Sequence, residues 1–260
     1  MPLARCKLCQ KRKRLQRSHL MPAALFKIMR EPGTKVSNPI MITSETTVST
    51  SKQLRTYLLC KECEHRFNVD GEGYVLTQVC NGIRFPLLDR LNVAMPFQEM
   101  PGLALYSGIA VGIDTARLAY FALSVFWRAS VHRWRAPHGG LVWTGLGAYE
   151  EPVRRYLLGD AEFPADLIVI VTACTDLGSQ RSCFTLCIIR GDAHAGFGMM
   201  TCGVHFRLFV GAGLPRALRR VCCFTSPRQV ILRGNCHRIS MHAFGYLRKT
   251  TKESHSLRSG

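Results

Sequence analysis

The sequence is short of acid. Its 260 residues carry 17 Asp and Glu against 35 Lys and Arg, a formal net charge of +18. Wherever that excess clusters it draws phosphates, anionic lipid or acidic partners, and the excess alone does not choose among them. It also lacks a long unbroken apolar run. The best stretch, Leu103 to Trp127, is interrupted by Asp114 and Arg117 and reads as buried helix, so no membrane span is expected. The basic residues from Arg5 to Arg14 lead into no apolar segment of the secretory kind, which points to a cytoplasmic protein with reduced thiols. A phosphate-cradling Gly-x-x-x-x-Gly-Lys loop, a dinucleotide fingerprint and a nucleophile elbow are all missing, which leaves nothing in favour of those enzyme classes. With 47% hydrophobic and 20% charged residues the composition is that of a folded chain, long enough for one large domain or two modest ones.

Cysteine is what the chain has in quantity, with 12 residues. Two pairs share one spacing, Cys6-Lys-Leu-Cys9 and Cys60-Lys-Glu-Cys63. Each such turn aims two sulfurs at one point, so the four thiolates together match a closed tetrahedral zinc site. The alternatives are unconnected buried cysteines, or a redox pair, for which no surrounding strand–helix pattern exists. Cys80, Cys174, Cys183, Cys187, Cys202, Cys222, Cys223 and Cys236 read as buried thiols. A second site from Cys222, Cys223, Cys236 and His237 is conceivable, although adjacent cysteines chelate a single ion poorly.

Periodicity places the rest in an α+β fold. A short helix is expected over Ala23 to Arg30, an extended Ser/Thr-rich loop over Thr34 to Lys52, and the start of a helix over Lys61 to Asn68. Gln78 to Gly112, punctuated by three prolines, reads as an irregular connection into a second unit. Asp114 is the expected cap of a long buried helix from Thr115 to about Arg135, and Glu150 to Leu158 a shorter one closed by Gly159. Leu167 to Cys174, Cys183 to Ile189, Val204 to Val210 and Val230 to Leu232 are strand-like runs of a mainly antiparallel sheet. The domains expected are 1–77, 78–248 and a disordered tail, 249–260.

Cys6-x-x-Cys9, Ser18-His19-Leu20-Met21-Pro22 and Leu58-Leu59-Cys60-x-x-Cys63-Glu64-His65 together resemble the zinc-bearing, treble-clef (ββα) form of the HNH endonucleases, over roughly the first seventy residues. A looser likeness links the whole chain to uncharacterised bacterial or phage-linked proteins. The resemblance implies a structural zinc on the four cysteines, His19 as the general base that activates water for phosphodiester attack, and Mg²⁺ or Mn²⁺ as catalytic ion. Ser18 stands where that family keeps an acidic or histidine ligand, and the usual Asn ahead of the second pair is replaced near Arg55; Glu64 then becomes the candidate carboxylate ligand. Lys11, Arg12, Lys13, Arg14 and Arg17 fall where a nucleic-acid backbone, DNA above all, would lie. A protein partner or a second copy would be met by the C-terminal unit. The open alternatives are a noncatalytic zinc-dependent module binding nucleic acid or protein, with His19 packing beside the zinc turn, Glu64 favoured by the helix dipole alone, and the basic run a solvated turn. Glu72 reads as a surface carboxylate, Trp127, Trp134 and Trp143 as core, and Arg128, His132, Arg133 and Arg135 as a candidate extension of the basic surface.

Overall fold

The computed structural model describes residues 1–29, 40–42, 47–49, 52–135, 141–190 and 195–236. The expected tail, 249–260, and His237 lie outside them. Strands β1 (Leu3–Arg5) and β2 (Arg12–His19) form an antiparallel hairpin whose turn carries the first Cys pair. That turn is closed by Cys6 N–H on the Lys11 carbonyl at 3.0 Å and by Gln10 in a left-handed conformation, φ 58. Pro22 precedes α1 (Ala23–Ile28), and β3 (Ile40–Ile42) pairs with β4 (Thr47–Ser49). Strand β5 (Arg55–Cys60) returns alongside β2, completing the order β1-β2-β5, and runs straight into α2 (Lys61–Phe67) with Cys60 as its N-cap. The helix continues through a π-helical turn, Asn68–Glu72, into α3 (Gly73–Leu76). Gly71 lies in that turn at a close approach to the next long helix: a Cβ there would meet the Phe121 backbone nitrogen at 2.9 Å.

The connection expected over Gln78 to Gly112 is more regular than its prolines imply. Pro86 starts α4 (Pro86–Val93) at a position where its missing N–H costs nothing, and Pro101-Gly102 turns β6 (Gln98–Met100) into β7 (Leu103–Ser107). The stretch from Leu103 is therefore strand before it is helix. Asp114 Oδ1 accepts from Arg117 N–H at 3.1 Å and opens α5 (Thr115–Val131), which stops short of the expected Arg135 because β8 (Trp134–Arg135) pairs with β9 (Leu141–Val142). Helix α6 (Glu150–Leu158) ends on Gly159 at φ 82, as its sequence requires. Strand β10 (Leu167–Cys174), the short α7 (Leu177–Gln180), β11 (Cys183–Arg190), β12 (Ala195–Thr201), β13 (Val204–Val210), α8 (Arg216–Arg220) and β14 (Val230–Gly234) follow.

The fold is α+β, with a seven-stranded sheet in the order β11-β12-β13-β10-β14-β7-β6. All pairs are antiparallel except β10 with β14. Strand β10 sits at the centre and is buried along its whole length, which is why it is apolar continuously and not alternately. Leu167, Val169 and Val171 pack with α5 on one face, while Ile168 and Ile170 pack with Leu214 and Cys222 on the other. The first face is shared with the N-terminal residues: Phe67 meets Tyr120 and Trp127 edge-on, at centroid distances of 6.0 and 6.1 Å. Trp127 and Trp134 are core, but Trp143 is 45% exposed, its ring carrying the Arg133 guanidinium. Among the described residues no helix is long and apolar enough to cross a membrane.

Candidate metal centre and the adjoining polar cluster

The two Cys pairs are brought together by different local structures. Cys6 and Cys9 lie in the β1–β2 turn, while Cys60 caps α2 and Cys63 sits in its first turn, where the positive end of the helix favours thiolate. The four sulfurs lie within 4.8 Å of one another, and Cys9 Sγ is 3.9 Å from Cys60 Sγ. A Zn–S bond of about 2.3 Å gives a tetrahedral sulfur–sulfur edge of about 3.8 Å, so the donor set fits a metal ion such as zinc. Cys60 N–H donates to Cys6 Sγ at 3.3 Å, and Lys7 N–H to the Leu58 carbonyl at 3.1 Å, bonds that lock the turn against the strand. The thiols do not titrate alike. Cys63 donates to Cys6, holding Cys6 down to about 4, while burial pushes Cys60 up to about 11; Cys63, which would lose that bond on ionising, is also raised. No other group of three or more such side chains is this close among the described residues. Cys222, Cys223 and Cys236 fall into three different core clusters, so the conceivable second site is not assembled.

Beside the cysteines lies a polar cluster built from β2, α2, the π-helical turn and α5. Ser18 is buried and its Oγ accepts from Leu59 N–H at 3.1 Å. Its hydroxyl also lies against Glu64, whose pKa is raised by burial despite that neighbour; Glu64 Oε1 is buried without a hydrogen-bond partner. The Arg128 guanidinium, which the sequence suggests for a helix end near solvent, is instead fully buried. It donates to the His19 carbonyl at 2.8 Å and to Glu72 Oε1 at 2.6 Å, and stacks over Phe67. Glu72 is accordingly an ion-pair partner rather than a surface carboxylate. His19 is half-buried, and burial, then Arg55 and Arg128, lower its pKa, which keeps the imidazole neutral at pH 7.

Lys11, Arg12, Arg14 and Arg17 are exposed on or beside β2, whereas Lys13 pairs with Glu62 at 3.2 Å. Cross-strand pairing sets Tyr57 opposite Arg17 and Arg55 opposite His19, adding an exposed ring and another cation to that face. The sequence signal for these two is the alternation of β5, Arg55-Thr-Tyr57, ahead of its buried end. No family model, no curated protein and no solved structure matches the chain.

Proposed function

We propose that the chain is an HNH-like, metal-dependent nucleic-acid-processing protein whose N-terminal treble clef is held by zinc on Cys6, Cys9, Cys60 and Cys63. The carrying observation is the orphaned carboxylate oxygen of Glu64, buried near the Cys cluster beside Ser18, the residue that precedes His19. A buried carboxylate oxygen without a donor is costly unless a proton or a cation meets it. Glu64 would hold a hydrated Mg²⁺ or Mn²⁺, a hard ion that takes oxygen ligands and keeps most of its waters. Such an ion supplies Lewis-acid stabilisation of charge on the phosphate. His19, neutral at pH 7, would take the proton from the attacking water, and Arg17, Arg55 and Tyr57 would orient the strand.

A second reading, a noncatalytic zinc-dependent binding module, is favoured by Arg128: its cation already neutralises Glu72 and acts on Glu64, leaving less negative charge for a second metal. Plasmid nicking with and without Mg²⁺ or Mn²⁺ separates the two. His19→Ala should abolish nicking with zinc content unchanged, and the wild-type rate should fall only on the acid side of the ordinary histidine range, where a histidine of lowered pKa gains its proton. Equal nicking by both proteins removes His19 as base; no nicking by either leaves the binding module.

Binding itself is expected to be electrostatic. Replacing Lys11, Arg12, Arg14 and Arg17 with Ala should weaken duplex binding regardless of sequence and flatten the slope of log affinity against log salt by about three to four. An unchanged slope in fluorescence anisotropy would place the nucleic acid elsewhere or make the partner a protein.

A further inference from the structure

The sheet face away from the cysteines carries a second basic feature. Leu214, Leu218, Val221 and Cys222, in and around α8, pack onto Ile168, Ile170 and Leu232, residues whose side chains leave β10 and β14 on the side opposite α5. That packing fixes α8 while its other side presents Arg216, Arg219 and Arg220 around an open cavity of about 370 Å³, lined on its other side by Thr225, Ser226 and Pro227. The three arginines lie within five residues, yet no carboxylate comes within 4.0 Å of any of them among the described residues. Like charges so placed repel one another, and a folded chain normally relieves this with an acid, which none of the described residues supplies here.

Arg219 is held in place rather than free. Its Nη1 donates to the Ala165 carbonyl at 2.8 Å and its Nε to the Leu214 carbonyl at 3.4 Å, which leaves the Nη2 group without a protein acceptor among the described residues. The loop opposite is equally fixed: Ser226 Oγ donates to the Cys222 carbonyl at 2.6 Å and accepts from Val230 N–H at 3.2 Å, and the neighbouring Thr225 is exposed. A preorganised guanidinium flanked by two exposed ones and a hydroxyl matches an oxyanion with several acceptor oxygens and more than one negative charge.

We infer that this cavity is a phosphate-binding site, separate from the N-terminal basic strand, which takes the phosphate groups of a polyanionic nucleic-acid strand. It does not depend on the reading of His19 or of the metal. The ligand chemistry is the phosphate itself, so pyrophosphate and an oligonucleotide serve as the two probes.

The test uses the full zinc-containing chain and the double variant Arg216→Glu, Arg220→Glu, which alters only exposed side chains and spares the anchored Arg219. Anisotropy with a labelled 12-nucleotide single strand should show at least a tenfold loss of affinity and a salt slope lower by about 1.4, about 0.7 for each phosphate that is no longer neutralised. Pyrophosphate should raise the melting temperature of the wild type and not of the variant. Loss of oligonucleotide binding in the β2 variant but full retention in the α8 variant would overturn the inference while leaving the N-terminal reading intact. A pyrophosphate effect alone, with oligonucleotide affinity unchanged in the α8 variant, would overturn the nucleic-acid assignment.

Discussion

Cys60→Ser is expected to lose the metal and, with it, the packing of β1, β2, β5 and α2. The three-stranded sheet is small, and its own buried side chains, among them Leu15, Leu58 and Leu59, each contribute about 1.5–3 kcal/mol. Structural zinc in finger-sized units contributes about 10–16 kcal/mol, which outweighs any single apolar side chain there. Cys60 is the residue where three features meet: its sulfur is 3.9 Å from Cys9, its N–H holds Cys6, and it caps α2. Serine keeps the shape and the cap but offers zinc a hard, protonated oxygen in place of a thiolate. Elemental analysis should find about one zinc per chain in the wild type and almost none in the variant, with new protease sensitivity before residue 80. Wild type should lose zinc as pH falls, because protons compete with the metal for the sulfurs. Full zinc occupancy in Cys60→Ser would remove the metal from the account of this unit.

That centre is legible in the sequence because its information is local. A Cys-x-x-Cys turn declares its geometry within four residues, and two of them need only be brought together. Helix α6 is legible for the same reason, with Glu150 at one end and Gly159 at the other. What is not legible depends on pairings across distance. Strand β7 looks like the start of the α5 helix because its Leu-Ala-Leu composition suits either state, and only pairing with β14 decides it. Strand β12 carries Gly196 and Gly198, weak strand formers that are held by neighbours on both sides. The polar cluster is the least legible of all. Arg128 and Glu72 are 56 residues apart, and each taken alone resembles an ordinary helical surface charge. An arginine within Phe-Ala-Leu-Ser-Val-Phe-Trp-Arg, on a helix apolar nearly all round, is the available signal: no solvent-facing side remains for it.

Removing that arginine is expected to cost less than removing the metal but more than removing a single apolar side chain. In Arg128→Met the methylene volume is roughly kept, but Glu72, 15% exposed, is left with a carboxylate and no cation. The His19 carbonyl loses its 2.8 Å donor, and the carbonyl and hydroxyl of Ser124 lose theirs at 3.2 and 3.4 Å. Breaking one side of a buried ion pair typically costs about 3–5 kcal/mol, chiefly from the stranded charge. The damage should extend to the metal-bearing unit, since Arg128 joins α5 to β2 and to the π-helical turn, and its guanidinium lies 5.3 Å from the Phe67 ring centroid. Arg128→Lys should recover little, because one ammonium cannot reach Glu72, His19 and Ser124 with the planar fork those bonds require. Arg128→Met with Glu72→Gln should recover a good part of the loss by removing the unpaired charge. Denaturant unfolding of wild type, the two single variants Arg128→Met and Glu72→Gln, and the double variant forms a cycle in which the coupling between 72 and 128 should exceed about 2 kcal/mol. A coupling near zero, with Arg128→Met as stable as wild type, would mean that the pair contributes nothing and that the Glu72 carboxylate does not depend on Arg128.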